Sequence, residues 1–269
     1  PPPTPPLFLM IRRPPRSTPR QGRRQRQMCI RDSPSTFDSF DRETGGLTMV
    51  PSSPCPVLFG IRGTDPEVLP AAFRQIRSEP HEGWAIFVTN QATDDHISLK
   101  AMDQVGPFES VATRGTVTQA PATIAGGHVI MEIGDGGHRV AAAAYEPTKG
   151  FRGVVRKLVA GDAILACGSV RDEPRTLNLE KVKVLAMASQ AERVKVANPK
   201  CPDCGKSMKS VGTGTGYRCM RCGTRADEEE ASFEETPRTI SPGWYEVPSD
   251  ARRHLARPLR LGVRSELDQ

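Results

Sequence analysis

Residues 201–222, CPDCGKSMKSVGTGTGYRCMRC, hold the most specific pattern in the chain: Cys201-Pro-Asp-Cys204, fourteen residues, then Cys219-Met-Arg-Cys222. Two such knuckles at the ends of a short hairpin let four thiolates meet tetrahedrally, about 2.3 Å from one Zn²⁺. Pro202, Gly205 and Gly223 are turn residues that allow backbone amides to face the sulfurs. A catalytic zinc needs an open position with a His, Asp or water ligand, so four Cys predict a closed structural site, a zinc ribbon over 196–226. Lys200, Lys206, Lys209, Arg218 and Arg221 against Asp203 give this segment +4, or +2 once Zn(Cys)₄ counts as −2. That charge suits phosphate contact, and a solvated ribbon surface equally.

Upstream, over 105–195, short strand candidates follow one another at 110–118, 128–133, 138–144, 163–170 and 177–185, with a GDGG hairpin turn between the second and third. Between the third and fourth, Phe151, Val154, Val155 and Leu158 have a helical period over 148–159. Three strands, a helix and two strands is the order of an OB-fold, a five-stranded Greek-key barrel. His138, Arg139, Lys149, Arg152, Arg156 and Lys157 are its densest basic set, and Tyr145 or Phe151 could stack a base. The alternative is that Phe151 is core and the cations are solvated. His128 and His138 lack a companion at metal spacing and read as polar strand positions.

Residues 34–104 begin with a Ser/Pro/Gly-rich linker. After CPVLFGIRG, Thr64-Asp65-Pro66-Glu67 reads as a helix start, with Thr64 or Asp65 as cap and Val68, Leu69, Ala72, Phe73 and Ile76 at helical spacing. Trp84–Thr89 is a strand with too many apolar residues for an exposed edge. Strand, helix, strand in this form is the closing half of a split β-α-β, ferredoxin-like domain. The whole is an α+β multidomain chain: a partial ferredoxin-like segment, an OB-fold β-barrel and a zinc ribbon. Beyond the ribbon, residues 227–269 read as an acidic connector and a tail, with Trp244 and Tyr245 docking on a neighbour and a short helix at 251–255.

Residues 1–33 contain eight Arg and one acid, leaving the other 236 residues at −1 of the chain's net +6. Overall basicity is therefore no evidence that the folded part binds nucleic acid. The segment shows no strand or helix period, and its Pro and Arg density predicts disorder. LFLMIRRPPRST and QRQMCIRDS also resemble translated adapter sequence at the ends of reading frames from short-read assemblies, so the segment is expected to be artefactual and the native sequence truncated upstream of about Pro34. A basic RNA-binding arm is the alternative. Of seven Cys, Cys29, Cys55 and Cys167 show no pairing spacing, which is cytosolic usage, and Leu7–Ile11 is too short for a membrane span, so the expected location is the cytoplasm. Arg62, Asp65, Glu79, His81 and Glu82 have no catalytic spacing, and no Walker loop, Ser-His-Asp order or nucleophile elbow is present.

GIRGTDPEVLPAAFRQIRSEPHEGWAIFVTNQATDDH, GGHVIMEIGDGGHRVAAAAYEPTKGFRGVVRKLVAGD, CPDCGKSMKSVGTGTGYRCMRCG and PGWYEVPSDARRHLARPL resemble, in order, segments of archaeal 2-agmatinylcytidine synthetases of isoleucine tRNA. The resemblance covers nearly all of 50–260. It implies a family that joins agmatine to the wobble cytidine of the CAU anticodon, with ATP activating the base. It also implies a kinase-like domain, a ferredoxin-like domain associated with agmatine, a tRNA-binding OB-fold and a zinc ribbon. The kinase-like domain is missing from this sequence, which is expected to be inactive alone. On that resemblance Arg62, Thr64 and Asp65 are placed near agmatine, a carboxylate pairing with its guanidinium. Arg139, Lys149, Arg152, Arg156, Lys157, Lys206, Lys209 and Arg218 are placed on RNA. A non-enzymatic single-strand-binding OB-fold and ribbon protein, or a scaffold whose ribbon docks on protein, are the competing readings.

Overall fold

The computed structural model describes residues 6–12, 34–41, 45–51, 56–76, 80–189, 191–212 and 214–268. The chain divides into two compact units, Pro1–Ala186 with Pro242–Gln269, and Met187–Ser241. It is a mixed α+β structure built mostly of strands.

The first sheet of the larger unit holds β1 (Leu7–Arg12), β2 (Thr36–Phe37), β3 (Val57–Gly63) and β4 (Trp84–Val88) in the order β2-β3-β1-β4, every neighbour antiparallel. Helix α1 (Val68–Arg74) connects β3 to β4, which flank β1 on either side. It begins two or three residues later than an Asp65 or Thr64 cap would set it, because the Asp65 carboxylate accepts the Glu67 N–H at 2.9 Å and holds a local turn ahead of the helix. Leu7, Leu9 and Ile11 alternate into a core with Met49, Leu58, Phe59, Ile61 and Leu69. This corrects the expectation of disorder for residues 7–12: the six residues have the two-residue period of a half-buried strand, and β3 and β4 satisfy their backbone on both sides. Residues 13–33 of the same expectation, together with Cys55 and Glu79, lie outside the described residues. A second correction concerns β4. Among the described strands it pairs only with β1, and Trp84, Phe87 and Val88 are 47 %, 44 % and 70 % exposed. Apolar content alone does not say whether a strand's faces are covered.

The second sheet closes on itself. Strands β5 (Ser98–Leu99), β6 (Ser110–Thr123), β7 (Val129–Asp135), β8 (His138–Ala144), β9 (Ala163–Arg171) and β10 (Thr176–Ala186) give a five-strand ring β6-β7-β8-β10-β9-β6, with β5 appended to β6. All ring contacts are antiparallel except β8 with β10. The alternation read from sequence reflects this directly, since one face of each strand fills the barrel with Val117, Val129, Met131, Ile133, Ile164 and Leu177. Gly136 and Gly137, at φ +55° and +90°, form the two-residue turn between β7 and β8 that side chains would strain. Helix α2 (Gly150–Arg156) buries Phe151 and Val155. Phe151 is 2 % exposed, so it is core and cannot stack a base.

The smaller unit begins with β11 (Ala191–Ala197), most of which the sequence reading assigns to the barrel segment ending at 195. A three-stranded sheet of β12 (Lys209–Ser210), β13 (Tyr217–Arg218) and β14 (Arg225–Ala226) follows, and β15 (Ser232–Pro237) returns to pair with β11. The acidic run keeps its carboxylates exposed, as expected, but it is more than a connector. Asp227 and Glu230 form a capping box, and the next residues are a paired strand.

The tail belongs to the larger unit through β16 (Gly243–Glu246), laid antiparallel on β10, where the Trp244 indole N–H donates to Asp268 at 3.0 Å. Residues 251–255 form turns rather than the expected helix, and the carbonyls of His254 and Leu255 accept the N–H groups of Ala92, Thr93 and Asp94. A short helix α3 (Ser265–Asp268) ends the described chain. Beneath the tail, Lys181 places its ammonium 2.6 Å from both oxygens of Asp94, each residue at most 1 % exposed. The Arg257 N–H adds a bond to Asp94 at 2.7 Å, and His96 pairs with Glu180 at 2.9 Å.

Candidate zinc centre and cationic surface

The four cysteines sit in two knuckles of the same construction. Gly205 N–H donates to Cys201 O and Gly223 N–H to Cys219 O (2.8 and 2.9 Å), with both glycines in the left-handed region at φ +70° and +77°. Cys201 N–H and Cys219 N–H are in turn bonded to Lys206 O and Thr224 O, each at 2.8 Å. Thr224 also bonds Asp203, tying one knuckle to the other. The sulfurs all lie within 4.8 Å of one another, and Cys204 and Cys219 are 3.5 Å apart. A tetrahedral Zn–S distance of about 2.3 Å sets sulfur separations of about 3.8 Å, so the thiols already occupy the corners such an ion requires. The backbone N–H groups of Cys222 and Arg221 draw the Cys219 thiol down to about 6, which prepares a thiolate. Hydrogen bonding with Cys204 pushes Cys222 up to about 12. With four sulfurs and no His or carboxylate, the donor set fits a closed structural zinc.

Asp94, His96 and Glu180 form a second group at metal-ligand distances. There the Lys181 ammonium already occupies the cation's place, so the group reads as a buried ionic lock. Sequence reasoning missed it because Asp94 and Lys181 lie far apart along the chain.

The eight cations assigned to RNA divide sharply. Arg139 pairs with Glu132 at 3.0 Å. Lys149 bonds Asp250 and lies 3.6 Å from Asp41, and the Asp250 contact holds its ammonium above the usual lysine range. Arg152 donates to Gly127 O at 2.6 Å and reaches Glu146, while Arg156 bonds Thr123 Oγ1 at 3.1 Å. Lys157 is exposed. On the barrel, then, most of these side chains have a partner within the fold. In the ribbon, the side chains of Lys206, Lys209 and Arg218 are exposed and make no hydrogen bond or ion pair to another described residue. Lys209 stands opposite Arg218, and Arg218 opposite Arg225, in register across the three strands. Arg225 was not singled out from sequence. Its signal is the pairing register, which places it third in a row of like charges.

A cleft of about 510 Å³ in the larger unit is lined by Arg62, Asp38, Asp250, Arg252, Arg253 and His254, among others. Arg62 donates to Gln91 Oε1 at 2.8 Å and stands 3.2 Å from His254 Nδ1. Thr64 and Asp65 do not line the cleft, so the structure does not gather the three residues placed near agmatine into one pocket.

Two family models match the chain: the TiaS FLD domain over residues 11–96 and the TiaS C-terminal zinc ribbon domain over 198–240. Among relatives, the isoleucine-tRNA 2-agmatinylcytidine synthetase TiaS of Methanocaldococcus jannaschii is 42 % identical over 85 % of this chain and 53 % of its own length. That of Methanosarcina acetivorans is 47 % identical over 84 % and 52 %. A solved complex of TiaS with its isoleucine tRNA, AMPCPP and agmatine superposes with TM-score 0.71 at 37 % identity, covering 94 % of this chain and 59 % of that one. The chain spans about half the length of the curated relatives it matches. Over most of its length the chain is homologous to the part of TiaS proteins that carries the FLD and the C-terminal zinc ribbon.

Proposed function

We propose that the chain supplies the tRNA-holding part of an ATP-dependent ligase that conjugates agmatine to the wobble cytidine of an isoleucine tRNA with a CAU anticodon. The observation that carries this reading is the likeness to TiaS over 84–85 % of the chain. The first sheet is read as a ferredoxin-like domain, on the strength of β3-α1-β4 flanking an antiparallel strand. The barrel is read as an OB-fold, since a helix separates its third and fourth strands and its third and fifth run parallel. ATP-dependent chemistry is assigned to the part of TiaS that this chain does not match, and the purified chain given ATP and agmatine is expected to leave tRNA unmodified; modification would overturn that assignment. Agmatine would lie near Arg62, Thr64 and Asp65. Asp65→Ala in a full-length relative tests this, and an unchanged agmatine affinity removes the assignment.

RNA contact is assigned chiefly to the ribbon. Like charges facing one another across strands destabilise a sheet, and a phosphate backbone relieves that repulsion. Replacing Lys206, Lys209 and Arg218 together by Gln should lower the slope of log K against log salt for tRNA by about 2–3, since each lost phosphate contact is worth about 0.7–0.9. Lys149→Gln, which breaks a pair internal to the fold, should leave the slope unchanged. The assignment fails if the triple variant keeps the wild-type slope. A single-strand-binding module with no preference for tRNA is the second reading, and a poly-pyrimidine competitor separates the two.

A further inference from the structure

We propose that Phe108 is a stacking platform for an unpaired RNA base, an assignment that rests on the RNA-binding reading above. Phe108 is 82 % exposed, more than any other large apolar side chain among the described residues. Its backbone lies in the left-handed region at φ +64°, where a β-carbon crowds the chain and a bulky residue is seldom found. A residue held there and turned outward is over-determined by its surroundings. The Phe108 N–H donates to Val170 O at 2.8 Å, and Val170 N–H donates to Glu109 O at 2.7 Å. The Glu109 carboxylate accepts Lys100 Nζ at 2.6 Å and the Gly106 N–H at 3.0 Å, which closes the turn from its other side. The ring is thus presented to solvent on a rigid base rather than on a loose loop.

Its position is informative. Phe108 is bonded to the last residues of β9, at the mouth of the β9–β10 turn, and in an OB-fold the loop between the fourth and fifth strands is one of the two that bind oligonucleotides. Arg171 and Arg175 bracket that turn, both exposed and without an ion-pair partner among the described residues. Arg253 reaches the same end of the barrel through Ser169 Oγ at 2.8 Å. Asp172 and Glu173 oppose these three arginines, so the surface keeps a small positive excess. A flat aromatic face with cations beside it is what unpaired nucleotides stack and track on.

The test uses the zinc-loaded full chain with two probes, the isoleucine tRNA and a short unpaired pyrimidine RNA. Phe108→Ala should weaken binding of the unpaired RNA by about five- to a hundred-fold, the range one base–aromatic stack supplies, and Phe108→Trp should restore it. Phe108→Gly should raise the melting temperature, because glycine takes the left-handed conformation freely, while binding falls as far as in the Ala variant. Opposite signs for stability and affinity are what a purely structural side chain would not produce. Wild-type affinity in the Ala and Gly variants overturns the proposal and leaves RNA binding intact. So does a loss of affinity that Trp does not restore. Absence of RNA binding by the wild type overturns this proposal and the reading beneath it together.

Discussion

Chelation of zinc is expected to unfold residues 187–241 and leave the barrel standing. The buried core of that unit is small: Cys201, Met208, Tyr217, Cys219, Ala226 and Ala231, so two of its six members are themselves zinc ligands. Its central sheet is made of two-residue strands. Domains of this size rarely hold together on apolar burial alone, and a structural zinc contributes on the order of 10–16 kcal/mol of apparent binding free energy that is also folding free energy. Calorimetry of the loaded chain should therefore show a transition that disappears with EDTA, with one zinc per chain by elemental analysis. Cys219→Ser should behave like the chelated protein. The barrel's own core of Val, Ile, Leu and Ala side chains includes none of the four ligands, so its transition should persist. An unchanged melting profile after complete chelation would show that the ribbon does not depend on its metal.

The second large effect is expected at the buried lock. Lys181→Met removes the cation that neutralises Asp94, a carboxylate with no solvent access. An uncompensated buried charge typically costs about 3–5 kcal/mol, whereas exchanging both partners for apolar or neutral groups is often close to neutral. Urea denaturation should place the single variant about 3–5 kcal/mol below wild type, with the slope m unchanged, and Asp94→Asn combined with Lys181→Met should recover most of the loss. The lock joins three pieces of the chain: the segment after β4, strand β10, and the tail through the Arg257 N–H and the Arg264 guanidinium, which donates to Asp94 O at 2.8 Å. A loss below about 1 kcal/mol in the single variant would mean that the pair is replaceable and the segments are held by other contacts.

What could be read from the sequence follows from the range of the interactions involved. The zinc ligands were legible because their geometry is local, two residues inside each knuckle and a hairpin between them. The barrel strands were legible because each buries one face, so burial writes itself as alternation. β11 and β15 were not, since their pairing joins residues far apart along the chain and β15 is rich in Glu, which composition assigns to solvent. Leu7–Arg12 was hidden by its Pro- and Arg-rich neighbours, although Leu7, Leu9 and Ile11 carry the strand period. The cationic sites show the same limit from the other side. Sequence identified the basic residues, but whether an arginine is free for phosphate or already committed to Glu132, Gly127 or Thr123 depends on partners that only the fold brings near.

The decisive experiment is binding of the zinc-loaded chain to isoleucine tRNA with a CAU anticodon, beside a non-cognate tRNA and a poly-pyrimidine strand, over a salt series with and without chelator. A tRNA-holding role predicts preference for the cognate tRNA, steep salt dependence, and loss of that preference once zinc is removed. Equal affinity for all three RNAs, unaffected by chelation, would contradict it.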